Sequence, residues 1–243
     1  YALASDPQEP RLMLAGSWEE GAGVFRSTDG GDHWQPLNEG LPTRQVQVRA
    51  LVIDVEGTAY VGTYGGGVYR LPQGSSQWVP VNDGLTSLYV YALAADSAGN
   101  IYAGTGEDPR TREKGVFRLT WGSSTWSAQG PSGAIVPALA IAPAQEQTIY
   151  AGTWGTGIYR SDDGGTSWVQ VNEGLTNLNV RALAVHPLDA ATVYAGTWGG
   201  GVFRTTNAGV SWVNMNSGLA TKQIYALRIQ QSTEDIVYVG TDG

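Results

Sequence analysis

Residues 149–168 read IYAGTWGTGIYRSDDGGTSW, and the rest of the 243-residue chain repeats this segment with variations. Large and small residues alternate in IYAGT and in GIYRS, and β-branched and aromatic residues are frequent in both, which predicts two strands. The glycines between them adopt positive φ without steric cost, so the two strands are predicted to be antiparallel. In SDDGGTSW, hydroxyl and carboxylate side chains can bond to amides of their own turn, which predicts a second turn before the strand that begins at the tryptophan.

The segment recurs along the whole chain. It reads VYAGTWGGGVFRTTNAGVSW at residues 193–212, and looser copies surround Trp34, Trp78 and Trp126. The glycine near the end of the second strand falls every 42 to 48 residues, at Gly16, Gly62, Gly104, Gly152, Gly196 and Gly240. Such a period is typical of repeat architectures. We therefore predict five complete four-stranded repeats and a sixth that contains only its first two strands.

The pattern S-x-D-x-G-x-x-W resembles the Asp-box of bacterial-neuraminidase-type repeats. These repeats occur in sialidases, sortilin-like receptors, xyloglucan-cleaving glucanases and photosystem II assembly factors. The pattern is complete at residues 27–34 and 161–168, Asn207 replaces its Asp at residues 205–212, and only its Trp remains at 71–78 and 119–126. The resemblance implies an all-β fold, a β-propeller of four-stranded antiparallel blades in which this turn joins the third and fourth strands. Trp34, Trp168 and Trp212 are then expected to be buried.

We expect one domain over residues 1–243, because all-β rings commonly reach this length. Its repeats are predicted at residues 1–48, 49–90, 91–136, 137–180, 181–224 and, in part, 225–243. Two closures are open: a ring of six positions, which we favour and which places the strand near Ala226 beside the strand near Ala2, and an arc of a larger propeller. The chain is expected to be a mature, trimmed or partial form, and a component of a larger chain or assembly.

The amino-acid composition argues against several classes of function. The 14 Lys and Arg residues against 22 Asp and Glu give a net charge of −8, which argues against a nucleic-acid partner. The chain has no cysteine, so thiolate metal sites are excluded, and its two histidines, His33 and His186, lie in different repeats. No apolar run reaches the length of a membrane span, so membrane insertion is not expected. No metal or cofactor is expected.

The antiparallel order of the strands places the end of strand two and the start of strand one at the same edge of each repeat. Two sets of residues are predicted there, together with an insertion at residues 106–115. The proposed ligand-binding residues are Trp18, Tyr64, Trp154 and Trp198 after strand two, Arg49, Tyr91, Arg181 and Tyr225 before the strand-one alanine, and Arg110 and Arg112 in the insertion. Aromatic and arginine side chains stack on sugars and hold partner loops. The alternative interpretation is that these aromatic residues only pack between repeats.

Two enzyme families share parts of the pattern. Sialidases resemble the chain only in part, because Arg49, Arg181 and Tyr225 match some of their site but the Arg-Ile-Pro segment is absent from the sequence. Xyloglucan-cleaving enzymes are similar in the YxGTxGGGxxR wording, and Asp242 matches the position of one catalytic Asp. Inverting hydrolysis needs a second carboxylate, which in that family lies on another domain.

The sequence therefore favours a non-catalytic binding or scaffolding β-propeller. It would recognise a protein or carbohydrate partner through the face that carries the turns between strands two and three. The alternative function is a glycoside hydrolase, xyloglucanase-like or sialidase-like, or a fragment of one. An extracytoplasmic location, secreted, periplasmic or on the cell surface, is expected because most similar families are found there.

Overall fold

The computed structural model describes residues 2–19, 21–42, 47–108, 111, 113–231 and 235–242. These residues form five four-stranded antiparallel sheets and one two-stranded sheet, and none of them is helical. The strands of each sheet are neighbours in chain order. The predicted fold class, an all-β propeller with five complete blades and a two-stranded sixth, is confirmed.

Sheets 1 to 6 follow the six repeats. Sheet 1 contains β1 (Ala2–Ser5), β2 (Met13–Gly16), β3 (Val24–Ser27) and β4 (Gln35–Pro36). Sheet 2 contains β5 (Val48–Ile53), β6 (Ala59–Thr63), β7 (Gly67–Leu71) and β8 (Val79–Pro80). Sheet 3 contains β9 (Val90–Ala95), β10 (Ile101–Thr105), β11 (Val116–Leu119) and β12 (Trp126–Gly130).

Sheet 4 contains β13 (Ala138–Ile141), β14 (Ile149–Gly152), β15 (Ile158–Ser161) and β16 (Val169–Gln170). Sheet 5 contains β17 (Val180–His186), β18 (Asp189–Thr197), β19 (Gly201–Thr205) and β20 (Val213–Asn214). Sheet 6 contains β21 (Ile224–Gln230) and β22 (Ile236–Thr241). The chain divides into two compact units, residues 1–128 and 129–243. The single-domain arrangement and its closure stay predictions.

The register of the first two strands fixes which residues share an edge. The alanine of the first strand pairs with the repeat glycine of the second, as in Ala50 with Gly62 and Ala182 with Gly196. The glycine is required because consecutive sheets approach closely there. A Cβ at Gly62 would lie 2.6 Å from the Val90 side chain of the next sheet. Residues just before the alanine and just after the glycine therefore lie together at one edge of each sheet.

Consecutive sheets bury their apolar faces against each other. One cluster joins sheets 1 and 2 and includes Leu14, Val61 and Trp78, a second joins sheets 2 and 3, and a third joins sheets 4 and 5. Tyr150 and Phe203 are fully buried in the third cluster. In sheet 2, which contributes to the first two clusters, the period-two pattern thus supplies one side to the preceding sheet and one to the following sheet.

Tryptophan side chains connect successive sheets inside each unit. Trp78 is 1% exposed, its backbone N–H donates to the Glu39 carbonyl at 2.8 Å, and its indole Nε1 donates to the Leu37 carbonyl at 2.8 Å. Trp126 and Trp212 repeat this arrangement, with indole bonds to the Val81 and Val171 carbonyls and backbone bonds to those of Asp83 and Glu173. Each indole is therefore buried with its one donor satisfied by the sheet before it.

The expected burial of the tryptophans is correct only for Trp212, which is 4% exposed. Trp34 is 37% exposed, so its predicted burial is wrong, and Trp168 is half-buried. Their indole N–H groups donate to carbonyls of their own turns, those of Gly31 and Gly165. The one donor of each indole is therefore satisfied within its own turn, and the ring stays at that turn.

The S-x-D-x-G-x-x-W turns are held by their own side chains. In the turn at residues 161–168, the Ser161 hydroxyl donates to Asp163 at 2.8 Å and accepts from the Gly165 amide at 2.8 Å. Asp163 also accepts from the amide and the hydroxyl of Ser167. In the turn at residues 205–212, Asn207 Oδ1 accepts from the Thr205 hydroxyl and the Ser211 amide. An amide oxygen thus replaces the carboxylate in the same geometry.

We expect the two kinds of tryptophan to differ in stability cost. Trp78→Ala should lower the free energy of unfolding by about 3–5 kcal/mol, because it removes a buried indole and leaves a cavity. Trp34→Ala should cost less than about 2 kcal/mol, because the side chain is partly exposed and loses one hydrogen bond. Urea denaturation of the two variants measures the difference. Equal losses would contradict the structural distinction.

Acid should weaken the turn at residues 161–168. Hydrogen bonds from Ser167 and Ser161 lower the pKa of Asp163 from 3.8 to about 2. A carboxyl whose folded pKa is lowered stabilises the fold above its unfolded pKa, and this contribution disappears as pH falls from about 4 to about 2. The variant Asp163→Asn should fold, as the natural Asn207 turn does, and its stability deficit relative to the wild type should shrink over that range in thermal unfolding. Parallel pH profiles would contradict the expected linkage.

Candidate binding site

An arginine enclosed by aromatic rings lies at the shared edge of sheets 1 to 3. The Arg49 cluster consists of Arg49, which is in β5, Trp18, which follows β2, Tyr64, which follows β6, and Tyr91, which is in β9. The guanidinium carbon of Arg49 lies 4.0, 5.2 and 4.7 Å from the ring centroids of Trp18, Tyr64 and Tyr91. Tyr64 makes edge contacts with both other rings, at centroid distances of 5.6 and 6.1 Å.

The second unit contains a matching group. The Arg181 cluster consists of Arg181, which is in β17, Trp154, which follows β14, Trp198, which follows β18, and Tyr225, which is in β21. The Arg181 guanidinium carbon lies 5.7, 4.7 and 4.5 Å from the ring centroids of Trp154, Trp198 and Tyr225. Trp198 contacts both other rings, at centroid distances of 6.1 and 5.3 Å.

The two clusters are built in the same way, three repeats apart. In each, the arginine comes from the first strand of the middle sheet, and its rings come from the preceding sheet, its own sheet and the following sheet. Backbone hydrogen bonds position the rings that follow the second strands. The amides of Tyr64, Trp154 and Trp198 donate to the carbonyls of Gln47, Ile135 and Asn179. The structure therefore brings together eight of the ten residues predicted from the sequence, in two groups of four.

None of these eight side chains is fully buried. Tyr64, Trp154 and Tyr225 are 38%, 42% and 37% exposed, and the other five are half-buried. The aromatic rings thus contact neighbouring sheets and still present surface to solvent. Guanidinium groups over aromatic faces interact favourably with the negative side of the ring.

One further aromatic residue belongs to the first cluster. Tyr89 packs edge-on against Tyr64, with ring centroids 4.6 Å apart. The sequence analysis missed it, although it lies two residues before Tyr91 and alternate residues of an extended segment share a face. Gly106 lies at the position that Tyr64 takes in sheet 2, and a Cβ there would meet the Tyr91 ring at 2.0 Å. The absence of a side chain at Gly106 is therefore what allows Tyr91 to lie at this edge.

Burial shapes the electrostatics of the Arg49 cluster. It raises the pKa of the Tyr91 phenol, and the positive charge of Arg49 opposes this rise. The phenol therefore stays protonated at neutral pH and offers a hydrogen-bond donor beside a permanent cation. Such a group of rings and donors is suited to binding.

The insertion between β10 and β11 packs on the loop before β9. Asp108 accepts from the Leu88 amide, the Thr111 hydroxyl donates to the Thr86 carbonyl at 3.0 Å, and Lys114 pairs with Glu107 at 3.0 Å. The predicted binding residues Arg110 and Arg112 lie outside the described residues. Asp242, the proposed match to a catalytic Asp, is exposed directly after β22.

The described residues also bear on metal binding and on membrane insertion. They contain no group of three or more His, Cys, Asp or Glu side chains arranged to hold a metal ion. In the same part of the chain, no helix has the length and hydrophobicity that crossing a bilayer requires.

Comparison with known proteins identifies the fold. No protein-family model matches the sequence, and no curated protein sequence matches it. Among solved structures, a GH74 xyloglucanase from Xanthomonas campestris is 24% identical with a TM-score of 0.70 over 86% of this chain and 38% of its own. YCF48 bound to D1 peptide is 16% identical with a TM-score of 0.69 over 100% of this chain and 75% of its own.

A third similar structure is PorZ, an essential surface component of the type-IX secretion system of Porphyromonas gingivalis. It is 18% identical with a TM-score of 0.76 over 98% of this chain and 37% of its own. The chain thus spans less than two fifths of the xyloglucanase and of PorZ. At these identities the likeness shows a shared β-propeller fold, in proteins that include both a glycoside hydrolase and a peptide-binding protein.

Proposed function

We propose that this chain is a non-catalytic binding or scaffolding β-propeller of Asp-box repeats that recognises a protein partner through the Arg49 and Arg181 clusters. The observation that carries the proposal is the matched construction of the two clusters. The repeat pattern by itself explains why a tryptophan or tyrosine lies at each edge. It does not explain why an arginine lies among three rings twice, at equivalent positions.

The chemistry of the clusters supports a protein partner. Tryptophan, tyrosine and arginine are enriched among the few interface residues that contribute most of the binding free energy. Their rings are held against neighbouring sheets, so little side-chain entropy is lost when a partner binds. The comparison with YCF48, whose structure contains a bound peptide, and with PorZ, a component of a secretion system, supports the same class of ligand. A carbohydrate that stacks on the exposed rings is the second ligand class.

The proposal includes where the protein is located and that it is part of a larger protein or assembly. A surface component such as PorZ among the similar structures supports an extracytoplasmic location. The chain would act there as one part of a larger protein or assembly. The insertion, with Arg110 and Arg112, would contribute to the same recognition surface.

Glycoside hydrolysis is the second candidate function. Asp242 favours it, because this carboxylate follows the repeat glycine of sheet 6 at the position that Tyr64 and Trp198 take in their sheets. The second carboxylate would have to come from outside the two clusters. Release of reducing ends from xyloglucan by the purified chain, abolished in Asp242→Asn, would support hydrolysis and contradict the binding-only proposal.

Trp154→Ala should reduce affinity for the partner by about tenfold or more, because the exposed indole is a central contact. Its stability should change by less than about 2 kcal/mol, since 42% of the side chain is already exposed. The partner is first captured from the native source on immobilised wild-type protein, and the affinities are then measured by calorimetry with the purified partner.

Trp121→Ala is the matched control. Trp121 is also exposed, at 59%, but it lies in the turn between β11 and β12, at the edge of sheet 3 opposite to Tyr91. Its removal should leave binding unchanged. Unchanged binding by Trp154→Ala and by Arg49→Ala, with both variants folded, would contradict the proposed site.

A further inference from the structure

A cleft lies between sheets 2 and 3, at the edge opposite to the Arg49 cluster, and we call it the Trp121 cleft. Its volume is about 340 Å³, which lies within the range of small-molecule sites. Sheet 2 forms a polar wall and sheet 3 forms the other wall with two of its turns. The polar wall contains Asp54, Glu56, Tyr60 and Arg70, and the other wall contains Gly99 and Trp121.

Trp121 replaces a residue that holds the same turn in other repeats. Its position in the turn before β12 is that of Asp29 and Asp163, whose carboxylates accept from amides of their own turns. An indole cannot accept such bonds. The Ser123 hydroxyl holds this turn instead, because it accepts from the Thr125 amide at 3.0 Å and donates to the Thr125 carbonyl at 3.2 Å. The side chain at position 121 is therefore not needed to form the turn.

The Trp121 indole is held in place although most of it is exposed. Its exposed fraction, 59%, is the largest among the nine tryptophans. The Trp121 amide donates to Asn100 Oδ1 at 3.0 Å, and Asn100 Nδ2 donates to the buried Asp96 carboxylate at 2.7 Å. An ideal Cβ at Gly99 would lie 2.4 Å from the ring atom Cδ1, so the ring lies directly on the Gly99 backbone. Little side-chain entropy is therefore lost when a ligand contacts this ring.

The polar wall supplies hydrogen-bond donors and acceptors. Asp54 is buried, and the amides of Glu56 and Thr58 both donate to its Oδ1 at 2.9 Å, so neither bond uses Oδ2. Burial raises the pKa of the Asp54 carboxyl. Burial and the charge of Asp54 also raise the pKa of the Tyr60 phenol, and Arg70 opposes this rise through its charge and a hydrogen bond. A carboxylate, a phenol and a guanidinium therefore lie close together on this wall.

The equivalent cleft between sheets 1 and 2 has a similar polar wall but a different group opposite to it. Asp6, Arg26 and Gln73 line that cleft. The first two correspond in the repeat to Asp54 and Arg70, and Gln73 takes the place of the indole. Among the described residues, no aromatic side chain lines that cleft. The exposed ring therefore distinguishes the Trp121 cleft from a feature that the repeat produces by itself.

We propose that the Trp121 cleft binds a neutral sugar residue of an oligosaccharide, with the apolar face of the pyranose ring on Trp121 and its hydroxyls on the polar wall. Each sugar hydroxyl both donates and accepts, so it can bond to the carboxylates of Asp54 and Glu56 and to the Arg70 guanidinium. Two carboxylates against one guanidinium disfavour an anionic ligand such as a uronate or a phosphate. The cleft lies at the edge opposite to the Arg49 cluster, so this site does not depend on the partner proposed for the two clusters.

The test follows the indole N–H signals of the full chain by two-dimensional NMR. The probes are neutral tetrasaccharides of glucose, of xylose and of mannose, each titrated separately into the nitrogen-labelled protein. At least one of them should shift the Trp121 signal in a saturable way, and this signal is identified by its absence from the spectrum of Trp121→Ala. The indole signals of Trp154 and Trp198 should stay in place.

Affinities for the same tetrasaccharide, measured from backbone amide shifts, compare the variants. Trp121→Ala should bind about tenfold more weakly or worse because the stacking surface is lost, and Trp121→Phe, which keeps a ring, should bind more tightly than Trp121→Ala. Glu56→Gln should weaken binding by about threefold or more, because a charged acceptor forms the stronger hydrogen bond. Trp34→Ala is the matched control, since it removes a partly exposed indole from a turn at the same edge of sheet 1, outside the cleft. Its affinity should equal that of the wild type.

Any of the following results would overturn the proposal. One is the absence of a saturable shift with every neutral tetrasaccharide. Another is equal affinity in Trp121→Ala and the wild type, which would show that the ring takes no part. A third is a shift confined to the signals of Trp154 and Trp198, which would assign the sugar to the Arg181 cluster. The last is tighter binding of a galacturonic acid tetrasaccharide than of any neutral one, since the ligand would then be anionic.

Discussion

The hydrogen bond from an indole N–H to a backbone carbonyl of the preceding sheet is the interaction on which the order within each unit depends. A β-sheet of four short strands cannot bury two faces by itself, so every sheet needs neighbours. The tryptophan supplies a large apolar area and a donor in one side chain, and a backbone carbonyl of the preceding sheet accepts that donor. Packing and hydrogen bonding therefore specify the same relative position of consecutive sheets.

The same constraint determines where recognition residues can lie. The second-strand glycine lets adjacent sheets approach at the edge opposite the S-x-D-x-G-x-x-W turns, and long side chains beyond that glycine reach across to the next sheet. Arg49 and Arg181 are each within reach of rings from three sheets for this reason. The repeat fixes the position of the residue beyond each second-strand glycine. The side chain at that position determines whether it only contacts the next sheet or also presents surface to a ligand.

Much of the fold could be predicted from the sequence, because strand periodicity and the turn pattern are local properties. The exposure of Trp34 could not be predicted, since the sequence does not show which carbonyl its indole N–H meets, and in the structure that carbonyl is Gly31 of its own turn. The glycine positions predicted the shared edge, and with it the place of eight of the proposed binding residues. They did not predict how those residues group around Arg49 and Arg181. That grouping depends on how far guanidinium and aromatic groups reach between sheets, and Tyr89 was missed for the same reason.

The turn at residues 205–212 has a consequence for the chemical ageing of the protein. Asparagine side chains hydrolyse slowly in water and become carboxylates. When the product at Asn207 is aspartate, it is the residue that the turn at residues 161–168 already uses, where the Ser167 hydroxyl donates to Asp163 at 2.6 Å. Ser211 occupies the equivalent place and needs only to rotate its hydroxyl hydrogen, since it now accepts from Asn207 Nδ2 at 3.0 Å. Deamidation to aspartate at this site would thus leave the blade intact and add one negative charge to its surface.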